Sequence, residues 1–459
     1  MSIIFQKIML EEIGQIVTGK TPSSNVIGAF SSSGIPFVTP KDMDGRRWIE
    51  TTERYLSEAG RQSLKNYLVP KDSVAVSCIG SDMGKAILLK KDSVTNQQIN
   101  TIIVDASKHN PKYIYYVLSL KQEELKSIAG GSATPILNKG HFSKVVIELP
   151  DKVDQDNIVQ VLDSLDCKIE LNNQINQNLE SMAQAIFKSW FIDFEPVRAK
   201  IAAKQEGKDT ELAAMCAISG KSEEELQQMA EDDFAELQAT AALFPDELVE
   251  SELGEVPKGW EVGCVEDIAT AKGGYAFKGS QFVEKGYPVI KIKNITGDGK
   301  VDIQGTQCID EKTARNAAKF MLHDCDLVMA MTGATVGKIG LVNTHGKSIY
   351  LNQRVAKFES EKFGGKISYF LFCLFNRKEY FEQIVGTAQG SAQPNISSSG
   401  IESTSIIVPN FELINLFIKN TDSIFQYWLK NGSINNFLNQ SRDTLLPKLL
   451  SGEVEVENL

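Results

Sequence analysis

DSLDCKIELNNQINQNL, residues 163–179, is written a second time as DSIFQYWLKNGSINNFL, residues 422–438. Asp163, Ser164, Asn172, Ile175, Asn176 and Leu179 recur as Asp422, Ser423, Asn431, Ile434, Asn435 and Leu438, always 259 residues later. Upstream, the same offset returns Gly131, Ser132, Ala133, Pro135, Ile147 and Pro150 as Gly390, Ser391, Ala392, Pro394, Ile406 and Pro409. About one identity is expected by chance over such a stretch, and self-similarity at a fixed spacing is the first thing to read in a chain. Earlier still, Gly80, Gly84 and Lys85 answer to Gly333, Gly337 and Lys338 at an offset of 253, and Asn96-Gln97 to Asn352-Gln353 at 256. Small loop insertions in an intact framework produce such drift. The chain is one plan written twice.

The quoted stretch also sets the fold. Leu162, Leu165, Ile169, Asn172, Asn176, Leu179, Ala183 and Ile186 are spaced alternately by three and four, the period of a two-stranded coiled coil. Thr421, Ile424, Trp428, Asn431, Asn435, Leu438, Arg442 and Leu445 form the equivalent seam. Pro150 and Pro409 precede these helices, and Pro196 and Pro447 lie near their ends, where a missing donor and a fixed φ are tolerated. A long amphipathic helix needs a partner for its apolar stripe. The other copy, folded back antiparallel about a pseudo-two-fold axis, supplies one. Paired seam asparagines penalise slipped registers, because a misplaced amide is buried without a mate.

Composition bounds the function. A chain of 459 residues has room for two or three domains. No run approaches the roughly 18 apolar residues of a membrane span, and Met1–Leu10 lacks the layout of a secretory signal, so a soluble protein is expected. Seven scattered cysteines, never in a Cys-x-x-Cys pair, suit a reducing cytoplasm better than disulfides or zinc, and the four dispersed histidines argue against metal. The net charge of −11 is local. Residues 1–150 carry 18 basic and 14 acidic side chains, and residues 258–409 carry 18 and 15, whereas residues 205–257 hold two lysines against fifteen acids. Both repeat units are therefore mildly basic. The acidic segment reads as a helical hairpin followed by an irregular link from Phe244 to Gly259, either a solvated connector or a docking face for a basic partner.

Each unit mixes short β-rich runs, such as Val74–Ile79 and Asp326–Met331, with polar loops and one apolar helical patch, near Tyr113–Leu120 or Ile367–Phe375. The expected class is α+β: two mixed α/β domains separated by two long helices. Gly80-x-x-x-Gly84-Lys85 and Gly333-x-x-x-Gly337-Lys338 each follow a strand and place a lysine where backbone can approach a phosphate. Gly14, Gly19, Lys20 and Thr21 satisfy the phosphate-loop spacing, but that cradle needs a helix starting at the threonine. Pro22-Ser23-Ser24-Asn25 denies it, and Thr270–Gly274 keeps only a basic, glycine-bearing turn. No Asn-Pro-Pro-aromatic or Asp-Pro-Pro-aromatic tetrapeptide is present to hold a flipped base, and Pro245-Asp246 lacks the acidic-x-Lys that a nuclease needs. The chain reads as non-catalytic. A coiled-coil scaffold with two protein-binding domains is the alternative.

Three segments carry a resemblance. Phe187–Lys200 (FKSWFIDFEPVRAK), Leu243–Asp246 with Ser251–Pro257, and Leu445–Gly452 (LLPKLLSG) resemble the specificity subunit of type I restriction-modification enzymes, in order and over the whole chain. The resemblance implies a recognition domain at 1–150, a central long helix at 151–204, the acidic connector at 205–257, a second recognition domain at 258–409 and a C-terminal long helix at 410–459. It implies a non-enzymatic subunit that binds double-stranded DNA at a bipartite site, one half per domain, with the coiled coil setting the spacer. Two modification subunits would carry S-adenosylmethionine and methylate adenine at N6. Restriction subunits would use ATP and magnesium. Expected DNA contacts are Lys20, Arg46, Arg47, Lys85 and Gln97 in the first unit, and Lys272, Lys291, Lys293, Lys338, Gln353 and Arg354 in the second, lysines on phosphate and amides or arginines on base edges. Phe187, Trp190, Phe191, Leu446, Leu449 and Leu450 are the expected apolar docking residues for the partner subunits.

Overall fold

In the computed structural model, residues 3–128, 136–388 and 394–456 are described. The repeated Gly131, Ser132, Ala133 and Pro135, with Gly390, Ser391 and Ala392, lie outside the described residues. The chain divides into two units: Met1–Ile169 with Phe437–Leu459, and Glu170–Asn436. Four helices organise them: α1 (Pro111–Leu120), α2 (Lys152–Phe191), α3 (Ile367–Phe375) and α4 (Phe411–Leu450). Each unit takes part of both 40-residue helices, α2 and α4.

The first unit holds two five-stranded sheets. One runs, edge to edge, Gly14–Thr18, Ile99–Val104, Val74–Ser77, Ala86–Leu89 and Trp48–Ile49, with only the last pairing parallel. The other runs Phe30–Ser31, Tyr55–Leu56, Ile35–Val38, Ser93–Thr95 and Leu68–Val69, parallel only where Ile35–Val38 meets Ser93–Thr95. A separate pair joins Gln6–Met9 to Val146–Leu149. Asn110 caps α1, its side-chain oxygen accepting from the amides of Lys112 and Tyr113, and Pro111 occupies the first helical position. Helix α1 buries Tyr113, Ile114, Tyr116, Val117 and Leu118 in a core shared with Ile158 and Leu162 of α2 and Leu446 and Leu449 of α4.

The second unit repeats this topology strand for strand. Its sheets run Thr270–Gly273, Val355–Glu359, Leu327–Ala330, Ile339–Leu341, Gly299–Lys300, and Phe282–Val283, Gln307–Ile309, Tyr287–Ile290, Ile349–Leu351, Met321–Leu322. The two parallel pairings fall at the same places, Gly299–Lys300 on Ile339–Leu341 and Tyr287–Ile290 on Ile349–Leu351. Duplication of sequence is thus duplication of fold. Here α3 is buried at every residue, because α2, α4 and the sheet cover all its faces.

Within this unit the seam asparagines meet. The Asn172 amide donates to the side-chain oxygen of Asn435 at 2.8 Å, that of Asn431 to Asn176 at 3.1 Å, and that of Asn176 to the Trp428 carbonyl at 3.2 Å. Partner numbers fall as residue numbers rise, so α2 and α4 run antiparallel. Asn172 is 1% exposed and Asn431 3%. Leaving one such amide unpaired costs about 1–3 kcal/mol.

Three expectations fail here. Within the acidic connector, Thr210–Ser219, Glu223–Gln227 and Glu231–Ala242 form three helices where a hairpin was expected, with a small core of Ala214, Met215, Leu226 and Ala241, and the expected central helix at 151–204 is divided into α2 and a separate helix, Glu195–Glu206. The irregular link contains a β-hairpin, Leu248–Ser251 paired with Gly254–Pro257. Phe194 separates α2 from the next helix by adopting φ 53°, a costly backbone for a bulky residue, while its ring packs edge-on against Trp260 at 5.6 Å.

Candidate nucleic-acid interface

Strand register gathers one set of loops at one end of the first unit. Thr18 pairs with Asn100, Ser77 with Ile99 and Ala86 with Val76, so the loops after Thr18 and Ser77 and before Ala86 and Ile99 emerge together. Strand Ile35–Val38 exits at this end too, since the Asn96 amide donates to the Val38 carbonyl at 2.9 Å. Gly19 lets these loops interlock: a Cβ there would lie 2.1 Å from the Thr95 carbonyl oxygen. The next residue, Lys20, is exposed, with its ammonium 5.4 Å from the centre of the Tyr67 ring. The Thr21 hydroxyl donates to the Gln97 side-chain oxygen at 2.6 Å, so Lys20, Thr21 and Gln97 share one patch.

Lys85 closes the neighbouring turn, whose glycines Gly80 and Gly84 take φ 75° and 83°, and it pairs with Asp82 at 2.8 Å. Arg46 is exposed and grips Asp44 at 2.9 Å. Burial would raise the Asp44 carboxyl, but the Arg46 bonds outweigh it and hold the group below its ordinary range. Lys20, Arg46, Lys85 and Gln97 therefore sit on loops at one end of the sheet.

Arg47 does not belong with them, which corrects the sequence expectation. It is 8% exposed, and its guanidinium donates to Asp163 at 2.6 Å, to the Tyr116 hydroxyl at 3.1 Å and to Asp166 at 3.4 Å. Two carboxylates on α2 draw the charge inward. Burial opposes ionisation of Asp163, yet Lys112 at 2.6 Å and Arg47 keep its carboxyl below the usual range. Tyr116 is pushed up by burial and by Asp166, to which its hydroxyl donates at 2.6 Å.

The second unit builds the same end with other side chains. Gly274 stands where Gly19 does, a Cβ there meeting the Leu351 carbonyl oxygen at 2.1 Å. The glycines at 333 and 337 take φ 79° and 78°, close to those of Gly80 and Gly84. Asn352 donates its amide to Ile290, and Met331 donates its amide to the Arg354 carbonyl, which brings Lys291, Lys293, Gln353, Arg354 and the Lys338 turn together. Lys293, Gln353 and Arg354 are exposed, and Lys338 lays its stem over Gly297. Lys291 lies over the Phe282 ring at 3.4 Å, and burial, then Lys293, push its ammonium below the usual lysine value.

Lys272 is displaced from this group. It pairs in register with Lys357 inside a strand and binds Glu359 at 2.7 Å, which raises its pKa. Tyr275 holds the place of Lys20 instead: the Tyr275 amide donates to the Leu351 carbonyl as the Lys20 amide does to Thr95. Sequence reasoning also passed over Lys41. It is exposed and follows strand Ile35–Val38 as Lys293 follows Tyr287–Ile290, and the recurring Lys-Asp/Lys-Asn pairs, 41–42 and 293–294, were the available signal. Asp42 accepts from the Thr39 amide at 2.8 Å, and Asn294 from that of Lys291 at 3.0 Å.

The expected docking residues are core residues. Phe187, Trp190 and Phe191 are buried in the second unit, with Phe187 5.1 Å from Phe370 and 5.8 Å from Phe417 between ring centres. Leu446 and Leu449 are buried in the first unit, and Leu450 packs partly against the same core. Periodicity showed a face that needs cover, and this chain covers it itself.

Two loop ends built alike, one in each unit and each bearing basic and amide side chains, define a protein with a duplicated α+β domain. The type I restriction modification DNA specificity domain matches residues 4–181 and again residues 257–426, and the chain belongs to that family. It is 30% identical over 456 residues to the HindI type I restriction enzyme specificity subunit of Haemophilus influenzae, covering 94% of this chain and 97% of that one. It is 27% identical to the MjaIX specificity subunit of Methanocaldococcus jannaschii, covering 98% and 93%. The crystal structure of the type I restriction-modification system S subunit from M. genitalium shares the fold, with a TM-score of 0.55 at 14% identity over 97% of this chain and 96% of that one.

Proposed function

We propose that this chain is the sequence-reading subunit of a type I restriction-modification complex, each unit reading one half of a split DNA site. The observation that carries this is the doubled loop end: one strand order and one pair of glycine-carved turns, bearing different side chains at matching places, Lys20 against Tyr275 and Asp42 against Asn294. A common scaffold with exchanged contacts is what reading two unlike half-sites requires. Lys20, Lys41, Lys85, Lys293 and Lys338 supply sequence-independent attraction to phosphate, and Gln97, Gln353 and Arg354 have the donor patterns that read base edges. The antiparallel seam sets the unread gap between halves.

Catalysis belongs to partners in this reading. Two modification subunits bring S-adenosylmethionine and methylate adenine N6, and restriction subunits bring ATP and magnesium. None of these groups is assigned a site on this chain. The compartment is the cytoplasm, a reading supported by seven cysteines of which none is disulfide-bonded, and no described helix is long and apolar enough to cross a membrane.

Selection from random duplexes, using the full chain with its modification subunit, tests the proposal. A split motif with a fixed gap is expected. One uninterrupted motif, or no enrichment, contradicts it. Adding a heptad to α2 and to α4 together should change the gap and leave both half-motifs intact.

A further inference from the structure

The first unit contains a device that the second lacks. The loop between strands Ile35–Val38 and Trp48–Ile49 carries the exposed Lys41 and Arg46. Its near end is tied by Asp42, which accepts from the Thr39 amide and hydroxyl, both at 2.8 Å, and from the Glu53 amide at 2.9 Å. Its far end is tied by Arg47, whose carbonyl accepts from Leu88 at 2.8 Å and whose guanidinium reaches Asp163 and Asp166 on α2. Asp166 is 5% exposed and is shared three ways: one oxygen accepts from Arg47 and Tyr116, the other from Arg442 of α4 at 2.7 Å. Charge-assisted bonds of this kind are short, strong and directional, and in a buried place they fix geometry as well as charge.

We infer that Asp166 and Arg442 are positioning residues for DNA reading by the first unit, acting through Arg47 on the loop that bears Lys41 and Arg46. The C-terminal helix thereby reaches a recognition loop some 400 residues earlier in the chain. In the second unit Phe425 stands at the place of Asp166 and is stacked on Tyr369 at 4.2 Å, and Asp298 precedes the strand that corresponds to Trp48–Ile49. There Asp298 and Lys300 lie near Glu180 of α2 instead, and among the described residues those positions do not repeat the chain of bonds from Arg47 through Asp166 to Arg442. A change at Arg442 should therefore affect one half-motif only.

The inference rests on the proposed reading of DNA, and the experiment separates the two. The full chain with its modification subunit is taken through random-duplex selection as wild type, Arg442→Gln, Arg442→Lys and Tyr116→Phe, with Gln97→Ala marking the first unit's half-motif. Affinity for the selected duplex is then measured for each. Arg442→Gln should lose about tenfold in affinity, all of it through degraded preference at the half-motif that Gln97→Ala marks. Arg442→Lys should recover most of the loss, and Tyr116→Phe, which keeps the ring packing and removes one bond to Asp166, should fall between. Equal weakening of both half-motifs, or an unchanged first half-motif in Tyr116→Phe and Arg442→Gln, would overturn the inference while leaving the proposed function standing. Absence of any split motif in the wild type would overturn both.

Discussion

The two units share both five-stranded sheets and differ in how they are fastened to the long helices. In the first, Arg47, Lys112 and Tyr116 converge on Asp163 and Asp166, and Arg442 adds a third cation. In the second, Asp422 takes the place of Asp163, bound by Lys366 at 2.8 Å and by the Tyr369 hydroxyl at 3.2 Å, and the place of Asp166 is taken by Phe425 within a largely aromatic attachment. Phe187, Phe191, Phe370 and Phe417 pack with mutual ring distances between 5.1 and 6.0 Å. The comparison teaches that a duplicated scaffold keeps its topology while exchanging the chemistry of its attachments. A polar attachment is directional and breaks when one partner is lost. An aromatic one is worth more in area and tolerates small shifts.

The comparison can be broken by removing one attachment at a time. Phe187→Ala should have the largest effect, about 3–5 kcal/mol, because a ring buried among three others leaves a cavity. In calorimetry the loss should appear in the transition of the second unit, with the first little changed. Asp166→Ala should cost about 3 kcal/mol, now in the first unit, since it removes the buried acceptor shared by Tyr116, Arg47 and Arg442 and leaves Arg47 to Asp163 and Arg442 to the exposed Asp443 as acidic partners. Should either substitution depress both transitions equally, the division of attachments drawn here is wrong. Asn172→Ala should cost about 1–3 kcal/mol by removing the buried bond that the Asn172 amide donates to the Asn435 side-chain oxygen. Asn172→Leu with Asn435→Leu should restore melting but admit a second register, visible as two distances between spin labels on α2 and α4.

Much of this was legible before any coordinates. The spacing of Asn172, Asn176, Asn431 and Asn435 placed them on a seam, and a seam can be read because it is a local period repeated along one helix. Gly80, Gly84, Gly333 and Gly337 marked turns because backbone with positive φ favours glycine. Arg47 was misread beside Arg46 because its partners lie 116 and 119 residues away, a distance that no local pattern spans. Lys272 was matched to Lys20 by proximity in sequence, whereas the glycine that must touch a carbonyl fixes the true register and puts Tyr275 there. Phe187, Trp190 and Phe191 looked like a docking face because amphipathicity reports a need for cover and not its source. The Leu248–Pro257 hairpin was hidden by its short, polar strands.

A pH titration sharpens the comparison further, with a smaller effect. Asp163 and Asp422 both resist burial through cationic neighbours that hold them below the ordinary carboxylate value. A carboxyl depressed on folding contributes stability fully above its unfolded value near about pH 4 and loses it as pH falls through the lower folded value. Asp163 has two cations and Asp422 has one, so the first unit should weaken more on acidification, and Asp163→Asn should flatten its profile without altering that of the second. Smallest of all, Lys20→Ala should leave melting unchanged and weaken every duplex alike, reducing the salt slope of binding by about one.

The most direct test of the central claim, that each unit reads its own half of a split site, is random-duplex selection with Gln97→Ala and, separately, Gln353→Ala. Each substitution should relax a different half-motif and leave the other half and the gap unchanged. If both relaxed the same half, or neither altered a motif that the wild type selects, the account of two matched reading ends would be contradicted.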